Sequence, residues 1–436
     1  MDPTIGMGIV LVIALFVLLA SGVWIAVALV GVGYIAITFF SDAPGGSLMA
    51  SAIWGALSDN WAITALPLFI WMAEILNRTR LANDMFNGLA PLLVKLPGRL
   101  LHVNILGCGI FAAVSGSSAA TVATIAKITV PELEKRNYDK NMTICTLAGS
   151  GTLGLLIPPS VVLIVYGFVT ETSIARLFIA GVGPGIMLIF LFMGYTALWA
   201  LLHPDRVPFE EIKTTLWQKI LGTRRLIPVA MLIVLVIGSI YAGIATPTES
   251  AAFGVFGAMV LSALFGSLTW ASFKDSLHSA TRVSCFCLLI IAGAAYLSMA
   301  MSFTGIPAKL ATFIIAQEYS TYGLIAVLTV LYLILGCFLE GFSMIVLTMG
   351  VLQPIIEGMG IDLIWYGIFM VIVIEAAQLT PPVGFNLFVL QQFTGKNVFF
   401  IAKAAFPFFL CLMIGLVLLT IFPEIALYLP TKMLAR

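Results

Sequence analysis

Two proline pairs sit in nearly the same phrase at two places in this chain. Pro158 and Pro159 lie in Gly154-Leu155-Leu156-Ile157-Pro158-Pro159-Ser160, and Pro381 and Pro382 lie in Gln378-Leu379-Thr380-Pro381-Pro382-Val383-Gly384. They are 223 residues apart, and the offset recurs: Pro131 maps onto Pro354, and Asp139 onto Asp362. It also carries the small-residue run Ser115-Gly116-Ser117-Ser118 onto Phe338-Leu339-Glu340-Gly341. Proline removes a backbone donor and clashes with the preceding turn, so each pair must interrupt a helix. The chain therefore reads as one unit used twice, with helices broken at matching places. That pattern is the signature of a membrane carrier whose site lies between the two copies.

Composition puts these helices in lipid. The chain is 61% apolar and 9% charged, with a mean hydropathy of +1.12. Soluble domains carry about 25% charged residues. A crossing needs about 20 apolar residues. Ten segments qualify: 5–20, 22–40, 61–77, 138–169, 173–202, 226–243, 250–268, 283–302, 362–394 and 398–427. The stretches 99–135 and 322–357 are too long for one crossing, and each has a small or polar centre. Both fit re-entrant hairpins, whose irregular tips survive at membrane depth only when buried in protein or lining a wet cavity. Segments 47–58, 80–96 and 305–317 read as interfacial helices, with Trp54 and Trp61 near headgroup depth.

The basic residues set the orientation. Segments 78–99, 127–140, 203–225, 270–282 and 395–403 hold 17 of the 21 lysines and arginines, which places them in the cytoplasm. Both termini then lie outside. Each copy contributes five spans, an odd number, so the second copy is inverted relative to the first. The N-terminus has no basic residue before its first apolar run, which reads as a retained span. Segment 203–225 carries no catalytic or nucleotide-binding motif, and a net charge of +1 implies no nucleic-acid partner. The six cysteines lie in apolar stretches without metal-ligand spacing and read as small packing residues. The three histidines lie near span ends or in loops, so no proton relay or metal site is expected beyond an alkali cation.

Chemistry concentrates at the tips and breaks. Gly149-Ser150-Gly151-Thr152-Leu153-Gly154 before Ile157-Pro158-Pro159 must unwind its helix. Unwinding frees carbonyls that can bind a small cation, although small residues also let helices pack closely. The second copy repeats the arrangement with Gly336, Phe338, Glu340 and Gly341 at a tip and Ala377, Thr380, Pro381 and Pro382 at a break. Glu340 is placed to help a cation site or to hold its tip. Glu375 either caps broken backbone or marks a functional site, since a carboxylate in the bilayer costs several kcal/mol. Glu74 and Glu249, near span ends, are more simply explained by interfacial solvation. Asn386 offers an amide to a substrate carboxylate. No basic residue sits at a span centre, so an anionic substrate would rely on half-helix N-termini, backbone donors and bound cations.

At these residues the chain resembles a known family. The motifs Ser115 to Thr121, Gly149 to Ser160 and Leu379 to Gly384 are similar to those of the large membrane subunit of tripartite ATP-independent periplasmic (TRAP) transporters, the DctM type. The likeness runs over essentially the whole chain. It implies an all-α polytopic membrane protein of two inverted repeats, with about ten spans and two re-entrant hairpins in the elevator fold of the ion-transporter superfamily. It implies sodium-driven import of an organic acid, such as a C4-dicarboxylate, sialic acid, another sugar acid or a keto acid. The implied partners are a periplasmic substrate-binding protein and a small four-span membrane subunit, and the implied location is the bacterial inner membrane. Scaffold parts would be 1–98 and 226–321, and transport parts 99–202 and 322–436, joined by the cytoplasmic loop 203–225.

Carried over residue by residue, the resemblance implies one sodium ion at Ser115, Ser117, Gly154, Ile157 and Pro159. The 223-residue offset then suggests a second at Phe338, Glu340, Ala377, Thr380 and Pro382. Substrate contacts would fall on Gly116, Ser118 and Pro158 in the first copy. In the second they would fall on Gly341, Ser343, Pro381, Val383, Gly384 and Asn386. No cofactor is implied besides the coupling ion, and no catalysis. The rival readings are a stand-alone divalent-anion/sodium symporter that needs no binding protein, and an ion-translocating subunit of a respiratory complex. The latter requires mid-membrane lysines that this chain lacks.

Overall fold

The structure is a computed structural model that describes residues 3–41, 43–58, 61–208, 222–316, 320–337, 339–381 and 384–434. All regular elements among the described residues are helical. Pro3–Ala20, Ile25–Phe40 and Ala65–Leu76 take the first three expected spans, the last preceded by a 3-10 turn at Trp61–Thr64. Gly45–Ser58, Leu81–Leu93 and Ile306–Ala316 occupy the expected interfacial segments. The first expected hairpin is Leu101–Ser115 and Ser118–Lys135, and the second is Thr321–Gly336 and Gly341–Gly358. Both proline-broken spans are interrupted where expected: Lys140–Thr152 stops before Val161–Val169, and Leu363–Ala377 before Phe385–Thr394.

Six helices among the described residues are long and apolar enough to cross a membrane unaided. Among the other expected spans, an interruption divides 138–169 and 362–394 into two half-helices each, while the first three are short unbroken helices. Exposed apolar side chains such as Trp24, Phe39, Trp270 and Ile244 face outward, as a lipid-facing surface requires.

The repeat is visible in the capping chemistry. Asp139 accepts from the Met142 N–H at 2.9 Å, and its mate Asp362 accepts from Ile364 and Trp365 N–H at 2.7 and 3.0 Å. Each cap satisfies a helix-start donor that lipid could not. Glu249, read above as an interfacially solvated acid, is exposed and also completes a capping box with Thr246 at the start of Pro247–Leu264. The structure also lengthens the expected span 283–302 into one helix, Trp270–Thr304. Thr269 and Ser272 cap its start, and no proline interrupts it. The expected span 398–427 ends at Ile421, and Pro423 precedes a separate helix, Glu424–Leu434.

Packing gathers the helices into two groups. Trp270–Thr304 runs along Ile25–Phe40, Gly45–Ser58 and Ala65–Leu76, and Pro247–Leu264 leans on Ala65–Leu76. In the other group the copies interleave, with Val398–Ile421 against both Lys140–Thr152 and Leu363–Ala377, and Phe385–Thr394 against Ser118–Lys135. Every residue from Ile364 to Ala377 is buried. Lipid tails are as apolar as leucine, so close packing and buried hydrogen bonds hold this group rather than escape from water. The Tyr166 hydroxyl donates to the Leu363 carbonyl at 2.6 Å, and Tyr332 pairs with Thr348 at 2.9 Å and with Tyr366 at 3.2 Å.

Candidate functional site

The first tip is built by two local devices. Gly116 ends Leu101–Ser115 with φ of 59°, and a Cβ there would meet the Pro159 carbonyl oxygen at 2.5 Å. Only glycine fits both the turn and the approach. Ser117 then caps the next helix, its hydroxyl accepting from Ala120 N–H. Ser115 and Thr121 hydroxyls lie 2.6 Å apart, and Thr121 donates to the Ser117 carbonyl at 2.8 Å.

The first break closes against this tip. A Cβ on Gly154 would lie 2.6 Å from the Ser117 carbonyl oxygen and 2.8 Å from the Ser118 nitrogen. The Val161 N–H donates to the Gly116 carbonyl at 3.4 Å, and Ser160 caps the helix beyond the break. Between Leu153 and Ser160 the chain is non-helical, with a cis bond at Pro158-Pro159. Among the described residues, the carbonyls of Gly154, Ile157 and Pro159 accept no hydrogen bond. The Leu156 and Pro158 carbonyls are idle as well, and five free acceptors in one stretch suit a cation that binds through oxygen alone. All five residues expected around the first ion, Ser115, Ser117, Gly154, Ile157 and Pro159, belong to this tip and break.

The second set is arranged differently. The tip packs on its own break: the Cys337 thiol meets Thr380 Oγ1 at 3.5 Å and donates to the Pro381 carbonyl at 3.3 Å. The Ala377 carbonyl already accepts from the Thr380 N–H and hydroxyl, at 3.0 and 2.7 Å, and the Thr380 carbonyl accepts from Gly384 N–H at 3.1 Å. Phe338, Pro382 and Val383, expected at the ion and substrate sites, lie outside the described residues. Glu340 lines a cavity shared with the first tip.

That cavity, about 140 Å³, draws residues from distant parts of the chain. Ser115 to Ala120 line one side, Glu340, Gly341 and Gln378 another, and Ile70, Glu74, Asn77, Val283 and Cys287 come from the opposite packing group. Of the expected substrate residues, Gly116, Ser118 and Gly341 line it. Asn386 stands directly behind, accepting from the Ser118 hydroxyl at 2.7 Å. Pro158, Ser343, Pro381 and Gly384 do not line it; Pro158 packs by Gly181, and Ser343 is buried with its hydroxyl unpaired.

Three lining residues were not assigned to the site from the sequence. Glu74, read above as interfacially solvated, lines the cavity with its carboxylate paired to Arg78 at 2.5 Å. Asn77 and Gln378 each bring a buried amide oxygen without a partner. The signal available for them was spacing: Asn77 stands one helical turn after Glu74, and Gln378 sits inside the second proline motif.

Comparison with known proteins shows the family. The family model described as "Tripartite ATP-independent periplasmic transporter, DctM component" matches residues 12–425. A C4-dicarboxylate TRAP transporter large permease from Pseudomonas aeruginosa is 31% identical over 374 residues, covering 86% of this chain and 87% of that protein. An isethionate TRAP transporter permease of the DctMQ type from Oleidesulfovibrio alaskensis is 30% identical, covering 85% of this chain and 58% of that protein. Among solved structures, the YdaH transporter of Alcanivorax borkumensis superposes with a TM-score of 0.60 at 13% identity, covering 88% of this chain and 89% of that one. This last likeness concerns the fold.

Proposed function

Because the chain belongs to the DctM component family of tripartite ATP-independent periplasmic transporters, it is the large membrane permease of such a system, and we propose that it imports an organic acid on a sodium gradient. One observation carries the proposal: the break whose Gly154, Ile157 and Pro159 carbonyls accept no hydrogen bond packs closely on the Gly116 to Ser118 tip. Gly154, Ile157 and Pro159 with Ser115 and Ser117 would hold one sodium ion, whose charge would offset that of an anionic substrate at a site without a lining cation. Glu340, Ala377 and Thr380 would help hold a second after the Ala377 and Thr380 carbonyls exchange their present donors.

The substrate would occupy the cavity between Ser118 and Gly341. Dicarboxylate and isethionate carriers among the relatives fit an anionic carboxylate or sulfonate class. Residues 1–98 and 226–321 would form the scaffold, and 99–202 and 322–436 the moving part, in an elevator built of inverted copies. The cavity has walls from both, as a site carried past a scaffold would. The protein would sit in the inner membrane with both termini outside. A periplasmic binding protein would deliver the substrate, and a small membrane subunit would complete the complex. The DctMQ relative, of which this chain matches 58%, is long enough to contain both membrane components.

The test is uptake into proteoliposomes holding this chain and the small subunit, with the binding protein outside. Uptake should require an inward sodium gradient, ignore ATP and stop when the binding protein is omitted. Uptake in sodium-free buffer driven by a proton gradient alone would refute the sodium reading.

A further inference from the structure

The scaffold wall of the cavity is largely one face of one helix. Ile70, Ala73, Glu74 and Asn77 follow at helical spacing on Ala65–Leu76 and its cap, and Val283 and Cys287 flank them from Trp270–Thr304. Among the described residues, the lining carries two carboxylates, Glu74 and Glu340, and no lysine, arginine or histidine. Glu340 is given above to the second cation. A bare Glu74 would leave the scaffold wall negative, and a like charge across a poorly solvated site repels a carboxylate or sulfonate.

Arg78 cancels that charge from behind. Its Nη1 donates to the Glu74 carboxylate at 2.5 Å and to the Glu74 backbone carbonyl at 2.6 Å. Its Nη2 donates to the Ser279 hydroxyl at 3.0 Å and to the Asp275 carbonyl at 3.3 Å. Both of these acceptors lie on Trp270–Thr304, one and two turns before Val283. The guanidinium is thus fixed between the two helices that wall the cavity, while Arg78 itself does not line it. The pair adds little to stability, since its side chains are 28% and 24% exposed and such pairs are screened by solvent. A guanidinium keeps its proton at any physiological pH, so the cancellation is permanent.

We propose that Arg78 is a positioning residue that sets the charge selectivity of the cavity, holding the Glu74 carboxylate so that an anion can lie against the scaffold wall. The inference rests on the anionic-substrate reading above.

Thiol labelling reads the charge of the cavity directly. Full-length protein carrying Cys285→Ala, Cys287→Ala and Cys337→Ala receives a reporter, Ala119→Cys, on the half-buried lining of the first tip. It is reacted with a sulfonate-bearing and a trimethylammonium-bearing methanethiosulfonate at low salt, where screening is weakest. Labelling is followed on the peptide that carries the reporter. Each rate is divided by that reagent's rate with mercaptoethanol, and the anion-to-cation ratio is taken. Arg78→Gln should lower the ratio about tenfold or more, because the freed charge acts on the two reagents with opposite sign. Glu74→Gln should raise it, and the double variant should return to within about threefold of the parent. An unmoved ratio in Arg78→Gln, or an equal fall in the double variant, would overturn the proposal. If Arg78→Gln does not fold, an unmoved ratio in Glu74→Gln overturns it equally. A parent ratio well below one would refute the anionic-substrate reading, and this inference with it. Sodium-independent uptake, with the ratios moving as stated, would refute the sodium reading alone.

Discussion

Replacing Gly154 by alanine tests the close fit of tip and break most directly. The added Cβ would lie 2.6 Å from the Ser117 carbonyl oxygen, 2.7 Å from its carbon and 2.8 Å from the Ser118 nitrogen. Ordinary contact begins at 3.4 Å, so the two strands of backbone must part by about 0.8 Å. Neither side yields easily. The Ser117 carbonyl is held by the Thr121 N–H and hydroxyl at 3.1 and 2.8 Å, and the break is tied to the tip through Val161 and Gly116. Overpacking of this kind costs about 1–3 kcal/mol. If that strain falls on the cation-bound geometry, sodium affinity drops roughly 5- to 150-fold. The assay is the sodium concentration for half-maximal uptake in proteoliposomes. Gly194→Ala is the control, since nothing lies within 4 Å of its added methyl group and alanine suits a helix interior. Wild-type sodium dependence in Gly154→Ala would show that tip and break do not jointly form a site.

Three further outcomes follow from the same geometry. Ser118→Ala leaves the Asn386 oxygen unpaired in a buried place and should cost about 1–3 kcal/mol, whereas the double variant with Asn386→Ala should cost less than the two single losses added; additive losses in chemical unfolding would refute the coupling. Asp139→Ala and Asp362→Ala, being equivalent caps, should each lower stability by about 1 kcal/mol without changing the sodium requirement; thermal unfolding with parallel uptake measurements decides. If the transport part moves, spin labels at the exposed positions Val27 and Lys127 should change separation by several ångströms or more on adding sodium and substrate; one distance distribution under all conditions, in protein shown to transport, would favour a fixed site with local gates.

What the sequence by itself determined is what local chemistry decides. Pro158, Pro159 and Pro381 fall in the non-helical breaks, Gly116 permits a left-handed turn, and Asp139, Ser160 and Asp362 start helices by capping them. Because these effects act within a few residues and were repeated at one offset, the hairpins and the breaks were legible without coordinates. What only the tertiary structure decided lies across the chain. Glu74 and Asn77 look like ordinary polar residues at a span end until Ala65–Leu76 is seen to wall the cavity. Ser118 finds Asn386 across 268 residues. Side chains in lipid reach such partners through helix packing, and packing depends on which faces of distant helices meet. A one-dimensional pattern records that a polar residue is present, while the folded chain determines which other residue answers it.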